Sequence, residues 1–127
     1  MHPAATRLVL YVEDDRINIV LMEEVIRRLP DWRLECAEDG QQALSLLACE
    51  RPALVLIDMN LPDMSGIALL GLLRSDVRWA QLYCVALSAD DRPEQIAAAR
   101  AAGFADYWVK PIEVLRLAKA LQNALPT

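Results

Sequence analysis

Carboxylates crowd two short stretches of this chain. "VEDD" (12–15) sets Glu13, Asp14 and Asp15 directly behind the apolar run "LVLYV" (8–12). "ALVLIDMNLPDMSG" (53–66) ends five apolar residues on a single acid, Asp58, and then turns into loop chemistry at Asn60, Pro62, Asp63, Ser65 and Gly66. Two further apolar runs end on complementary groups. "LYCVALS" (82–88) closes on Ser88, and "DYWVK" (106–110) closes on Lys110, followed by Pro111. Lysine is scarce here, with two against eleven arginines, so one at a run's end beside a proline stands out. Carboxylates brought together repel, and a pKa must rise unless a cation relieves the conflict. Mg²⁺ is such a cation: it takes oxygen ligands, is held by one or two carboxylates and keeps several waters. A lysine and a hydroxyl around the same site point to a phosphoryl group, whose transfer depends on positioning and charge neutralisation. Singly, each residue has a plainer reading. Acids favour helix entries, Asp58 alone could cap a loop, and Ser88 alone could be a turn hydroxyl. The four run ends together favour a site.

The elements that would position these groups alternate. Strands are expected at 8–12, 33–37, 53–57, 82–88 and 106–110. Apolar residues at helical spacing predict a helix over 16–29, stopped by Pro30. Further helices are expected at 39–50, entered at Asp39 as an N-cap, at 65–76, with Gly71 weakening its middle, at 92–103, with Pro93 in its first turn and Gly103 at its end, and at 112–125. The pattern is a strand–helix unit repeated five times. Strands that are apolar almost throughout imply a parallel sheet covered on both faces. In such sheets ligands bind beyond the carboxyl ends of the strands, where the strand order reverses. The acids, Ser88 and Lys110 therefore belong at one edge of the sheet.

Composition bounds the rest. A chain of 127 residues, 55% hydrophobic, suits one domain with a single core, expected over about 7–125. Thirteen basic against eighteen acidic residues give a net charge of −5, which argues against a nucleic-acid surface. Cys36, Cys49 and Cys84 have no metal-ligand spacing and read as small buried hydrophobes of a reducing cytoplasm. No run approaches the ~20 apolar residues of a membrane span, and "MHPAATR" is too short and polar for a signal peptide. His2, the only histidine, lies in a terminus expected to fray. No Walker-type glycine loop for ATP is present, so a phosphoryl group would have to come from a partner or a small donor. Trp32 and Trp79 read as packing residues. Tyr107 and Trp108, adjacent on a strand, should face opposite sides of the sheet.

In "VLYVEDDRIN", "LVLIDMNLPDMSG", "VALSA" and "AGFADYWVKPI", taken in order, the chain resembles the receiver domain of bacterial two-component response regulators, a domain shared with hybrid histidine kinases. The resemblance implies a flavodoxin-like (βα)5 fold with a five-stranded parallel sheet in the order 2-1-3-4-5. It also implies Asp58 as phosphoacceptor and a Mg²⁺ site of Glu13, Asp14, Asp58 and the Asn60 backbone carbonyl. Ser88 and Lys110 would hold the phosphoryl oxygens, with Ser88 and Tyr107 as the switch pair. Glu13 stands where aspartate is more frequent, which implies a metal contact through water. Asp90, two residues after Ser88, would overhang the site. The implied donor is a histidine kinase or a histidine phosphotransfer protein. Helix 16–29, through Arg16 and Asn18, and the loop after Lys110 would set donor choice. An output partner or a second copy would dock on residues 93–125.

Two other functions compete. A small aspartyl-phosphate phosphohydrolase would need a general acid two residues after its nucleophile, and that position holds Asn60, which cannot donate as a carboxylic acid does. A flavodoxin-type cofactor carrier would need a phosphate-cradling run of Gly, Ser and Thr, which the loops lack. The sequence therefore reads as a signalling phosphoacceptor rather than an enzyme.

Overall fold

A computed structural model describes residues 7–124; His2 and the last residue of the helix expected over 112–125 lie outside them. The element order is β1 (Arg7–Val12), α1 (Arg16–Arg27), β2 (Trp32–Ala37), α2 (Gly40–Cys49), β3 (Leu54–Asp58), α3 (Gly66–Arg74), β4 (Cys84–Ser88), α4 (Pro93–Ala102), β5 (Asp106–Val109) and α5 (Val114–Ala124). All four strand pairings are parallel, in the order β2-β1-β3-β4-β5. The fold is therefore the expected flavodoxin-like one, and every expected element is present. Boundaries move inward by one or two residues at several ends, as fraying allows. Lys110 lies one residue beyond β5 rather than in it.

The strand pleat sorts side chains into two layers. Leu10, Val12, Val55, Ile57, Cys84, Ala86 and Tyr107 pack with α2, α3 and α4. Val9, Tyr11, Leu54, Leu56, Val85 and Leu87 pack with α1 and α5. Tyr107 and Trp108 do part to opposite layers. Trp32 and Trp79 are both buried. The cysteines correct one expectation: Cys84 is buried, but Cys36 is half-buried and Cys49 is exposed. Cys49 is the last residue of α2, past the turn that carries the buried Leu47.

Helix entries follow local side-chain chemistry. Asp15, Asp39 and Ser65 each accept a hydrogen bond from a backbone N–H in the first turn of α1, α2 and α3. α4 has no such cap and starts on Pro93. It ends at Gly103, whose φ of +115° is one that glycine adopts without a Cβ penalty.

Candidate functional site

Register decides what meets at the sheet edge. Val12 pairs with Ile57, so Glu13 and Asp58 follow at the same level on neighbouring strands. These are β1 and β3, the strands between which the order reverses. Ser88 pairs with Val109, which brings Lys110 to the same edge. Asp58 lies two residues after Leu56 and Glu13 two after Tyr11, in phase with the α1–α5 layer. Ser88 lies two after Ala86, in phase with the α4 layer that holds Tyr107.

The "EDD" run splits into three roles. Glu13 is buried, at 1% exposure. Asp14 is exposed. Asp15 is the α1 cap, accepting from Ile17 N at 3.1 Å, so helix-entry chemistry is correct for this one acid. Glu13, Asp14 and Asp58 each offer an oxygen, and all three lie within 4.8 Å of one another. A cluster made only of carboxylate oxygens matches a hard divalent cation such as Mg²⁺ rather than a softer metal.

Lys110 Nζ donates to Glu13 Oε1 at 2.8 Å and lies 3.6 Å from Asp58 Oδ1. It is thus paired first with Glu13. Tyr11 Oη donates to the same Glu13 oxygen at 2.8 Å, and Asp15 N donates to Oε2 at 3.2 Å. Burial pushes the Glu13 carboxyl up, but the hydrogen bonds from Lys110 and Tyr11 outweigh it and hold the group below its ordinary value. Asp58 goes the other way. Burial first, and then the Glu13 charge, push it from the ordinary 3.8 up to about 6, against the opposing pull of Lys110. Burial, followed by the Glu13 charge, also raises the Tyr11 phenol, so it remains a protonated donor. Among the described residues no buried polar side-chain atom lacks a partner.

The loop after β3 is tightly built. Asn60 N donates to Asp58 Oδ1 at 3.3 Å, and Gly66 N donates to Met59 O at 2.9 Å. Gly66 has a structural reason: a Cβ there would come 2.8 Å from the Asp58 carbonyl oxygen and 2.9 Å from Met59 Cα. Across the site, Ser88 is buried and its Oγ accepts from Asp90 N at 3.1 Å. The Asp90 carboxylate accepts from Arg92 Nε and Nη2. Tyr107 is buried, with its hydroxyl donating to the Asp90 carbonyl.

Glu13, Asp14, Asp58 and Lys110 are therefore brought together, with Ser88 and Tyr107 on the flank and Asn60 bonded to Asp58. Sequence reasoning missed two polar residues. Tyr11 reads as one more apolar strand residue, yet its spacing of two from Glu13 was the available signal. Asp63 reads only as part of the loop chemistry after Asp58, but its carboxylate accepts from Gly40 N at 2.9 Å and Gln41 N at 3.0 Å, joining this loop to the start of α2.

With this geometry in place, comparisons with known proteins agree on one family. The family model described as the response regulator receiver domain matches residues 9–122. The probable transcriptional regulatory protein TcrX of Mycobacterium tuberculosis is 33% identical over 117 residues, 92% of this chain and 49% of TcrX. The chain thus spans about half the length of that relative. Among solved structures, the chemotaxis response regulator CheY4 of Vibrio cholerae superposes with a TM-score of 0.84 at 26% identity, covering 94% of this chain and 99% of that one. The Mn(2+)-bound form of response regulator Rcp1 matches with a TM-score of 0.78 at 25% identity, over 91% of this chain and 89% of that one. The sheet order, the acid cluster at its reversal point and the family match lead to one conclusion: this chain belongs to the response regulator receiver domain family.

Proposed function

We propose that Asp58 accepts a phosphoryl group from a phosphohistidine, on a histidine kinase or a histidine phosphotransfer protein, and that the domain passes this signal on by a change of shape. The observation that carries the reading is a buried carboxylate, Asp58, at the end of a buried strand, with Lys110 Nζ 3.6 Å away and two further acids beside it. In the transfer an Asp58 oxygen forms a bond to phosphorus. The bond from phosphorus to the imidazole nitrogen breaks, and the imidazole leaves with that electron pair. The product is an acyl phosphate. Asp58 must be ionised to attack, and at about 6 its carboxyl is mostly so at neutral pH. Asn60 N–H holds one carboxylate oxygen in place. Lys110 supplies positive charge to the phosphoryl oxygens, where preorganised charge is most effective. Glu13, Asp14, Asp58 and the Asn60 carbonyl would hold Mg²⁺, which supplies charge neutralisation for the incoming phosphoryl group. Response regulator Rcp1 exists in a Mn(2+)-bound form, so a protein of similar fold holds a divalent ion, which supports a metal site of this kind.

The signal then moves across the sheet edge. Ser88 releases Asp90 N and donates to the new phosphoryl oxygens, drawing the β4–α4 loop inward. Tyr107, tied to Asp90 by its hydroxyl, responds to that movement. Output binding or dimerisation follows on residues 93–125. Exposed Val109 and Leu115 and a cavity of about 390 Å³ lined by Tyr107, Trp108, Lys110, Pro111 and Arg116 support a partner surface there. A phosphohistidine donor of this kind places the domain in the cytoplasm. Among the described residues no helix is long and apolar enough to cross a membrane.

The test is covalent labelling. Incubation with acetyl phosphate or a phosphohistidine donor and Mg²⁺ should add one phosphoryl group by intact mass. Asp58→Asn should take up none, because an amide is a poor nucleophile. Uptake that persists in Asp58→Asn would overturn the assignment. Ser88→Ala should still be labelled but lose the spectral change at Tyr107.

A further inference from the structure

We infer that Tyr11 is a positioning residue for Lys110: its hydroxyl keeps Glu13 paired and in place while the lysine turns from Glu13 to the oxygens of a group bound on Asp58. The inference rests on the reading of Asp58 as phosphoacceptor.

Glu13 is the most enclosed acid of the site, with 1% of its surface exposed. Its Oε2 has one donor, Asp15 N, at 3.2 Å. Its Oε1 has two donors at equal length, Tyr11 Oη and Lys110 Nζ, each at 2.8 Å. A carboxylate buried to this degree is costly to leave without donors. Two donors on one oxygen look redundant until the lysine is asked to move. Lys110 sits 3.6 Å from Asp58 Oδ1, beyond hydrogen-bond length, while it is bonded to Glu13. A phosphoryl group on Asp58 brings more negative charge to Nζ than Glu13 offers. When Lys110 follows that charge, Glu13 Oε1 retains one donor, the tyrosine.

Tyr11 is built to stay. Its ring is fully buried in the layer of Val9, Met22, Leu56 and Leu87, so its hydroxyl is delivered from the core side and does not depend on a flexible chain. Lys110, by contrast, reaches the site on four methylenes. A phenylalanine at position 11 would fill the same space and leave Oε1 with the lysine as its last donor. That lysine would then be held on Glu13, and its transfer would leave a buried oxygen unpaired.

Beryllofluoride and Mg²⁺ separate these states. Mg²⁺ alone leaves Lys110 on Glu13, whereas beryllofluoride on Asp58 draws it away. Affinities for both probes, followed by tryptophan fluorescence, should therefore split in Tyr11→Phe. Mg²⁺ affinity should stay within about twofold, and beryllofluoride affinity at saturating Mg²⁺ should fall about tenfold. In a Glu13→Gln background, where position 13 carries no charge, adding Tyr11→Phe should weaken beryllofluoride binding by less than about twofold. Equal beryllofluoride binding by wild type and Tyr11→Phe would overturn the inference. So would a parallel loss of both ligands, or a tenfold loss that persists in the Glu13→Gln background, since either marks the hydroxyl as a general structural prop. Wild-type protein that does not bind beryllofluoride at all would instead overturn the reading of Asp58.

Discussion

The two flanks of Asp58 are built differently. On one side lie the β3–α3 loop and α3, on the other the β4–α4 loop and α4. α3 has nine residues and buries Gly66, Leu69, Leu70 and Leu73; α4 has ten and buries only Ala99. The β3–α3 loop is tied to its own ends by Leu61 N to Met64 O and Gly66 N to Met59 O, and to α2 by the two bonds of Asp63. The bonds within the β4–α4 loop are local, running from Asp90 to Ser88 and from Arg92 to Asp90. Among the described residues, the hydrogen bond that ties residues 89–92 to a distant element is the Tyr107 hydroxyl on the Asp90 carbonyl. The contrast separates two needs. A nucleophile and a metal site need fixed geometry, and a switch needs an element whose alternative positions lie close in energy. Under the proposed function, the side with more apolar anchorage carries the first, and the side held through one hydroxyl carries the second.

Truncation should expose this difference most strongly. Leu70 is fully buried beneath α3, so Leu70→Ala should cost ~2–5 kcal/mol in urea unfolding. Ile96 is the larger apolar anchor of α4 and is only half-buried. Ile96→Ala should cost well under half as much, and native-state exchange should be faster for α4 amides than for α3 amides. Equal costs would remove the distinction between the two flanks.

The next effect tests what the rigid flank holds. The Asp58 carboxyl sits at about 6 in the fold, against the ordinary 3.8. The folded protein therefore holds this proton more tightly than the unfolded chain. The stability this contributes is fully present below about pH 4 and is lost as pH rises through about 6. About two pH units at 1.36 kcal/mol each make the ionised acid cost on the order of 2–3 kcal/mol at pH 7.5. Asp58→Asn should then be more stable than wild type at pH 7.5 by about that amount, and the gap should close towards pH 4. Glu13, held below its ordinary value, contributes in the opposite sense, so the wild-type profile alone would blur the effect. Saturating Mg²⁺ at pH 7.5 should narrow the gap by neutralising the crowded acids. A gap that does not change with pH would show that Asp58 ionises without strain.

How far the sequence revealed this arrangement depends on the signal involved. Buried strands and their polar last residues are visible as abrupt changes of residue type, so β3 with Asp58 and β4 with Ser88 were legible. So was the gathering of the acids, since parallel strands bring their carboxyl ends to one edge. Partner choice inside the site was not. Lys110 is expected to hold phosphoryl oxygens on Asp58, and its bond to Glu13 has no signal in the sequence, because the side-chain path and not the strand order sets that distance. Tyr11 was hidden for the opposite reason: its ring satisfies the apolar pattern, and its hydroxyl leaves no mark in hydropathy. Cys49 misled in the same way, because an apolar neighbourhood in sequence does not say on which side of a helix end a residue falls.

The smallest effect bears directly on the single tie across the α4 flank. Tyr107→Phe keeps the buried ring and removes the bond to the Asp90 carbonyl. A partly buried neutral hydrogen bond contributes ~1 kcal/mol, so the melting temperature should fall only by a few degrees. The local consequence should be larger than the global one. Residues 89–92 would keep only local bonds, to Ser88, among themselves and to the first turn of α4, and their amides should exchange several-fold faster, while those of the β3–α3 loop stay as they were. Asp63→Asn is the counterpart on the other flank. It weakens a charged acceptor at the start of α2, and the Gly40 and Gln41 amides should exchange faster. The bonds of Asn60 and Gly66 do not involve Asp63, so the segment next to Asp58 should keep its protection. One substitution should thus loosen a whole loop on the α4 side and only the junction with α2 on the α3 side. If Asp63→Asn instead loosens residues 59–66 as much as Tyr107→Phe loosens 89–92, both flanks hang on single ties, and the fixed side of the site owes its rigidity to α3 packing alone.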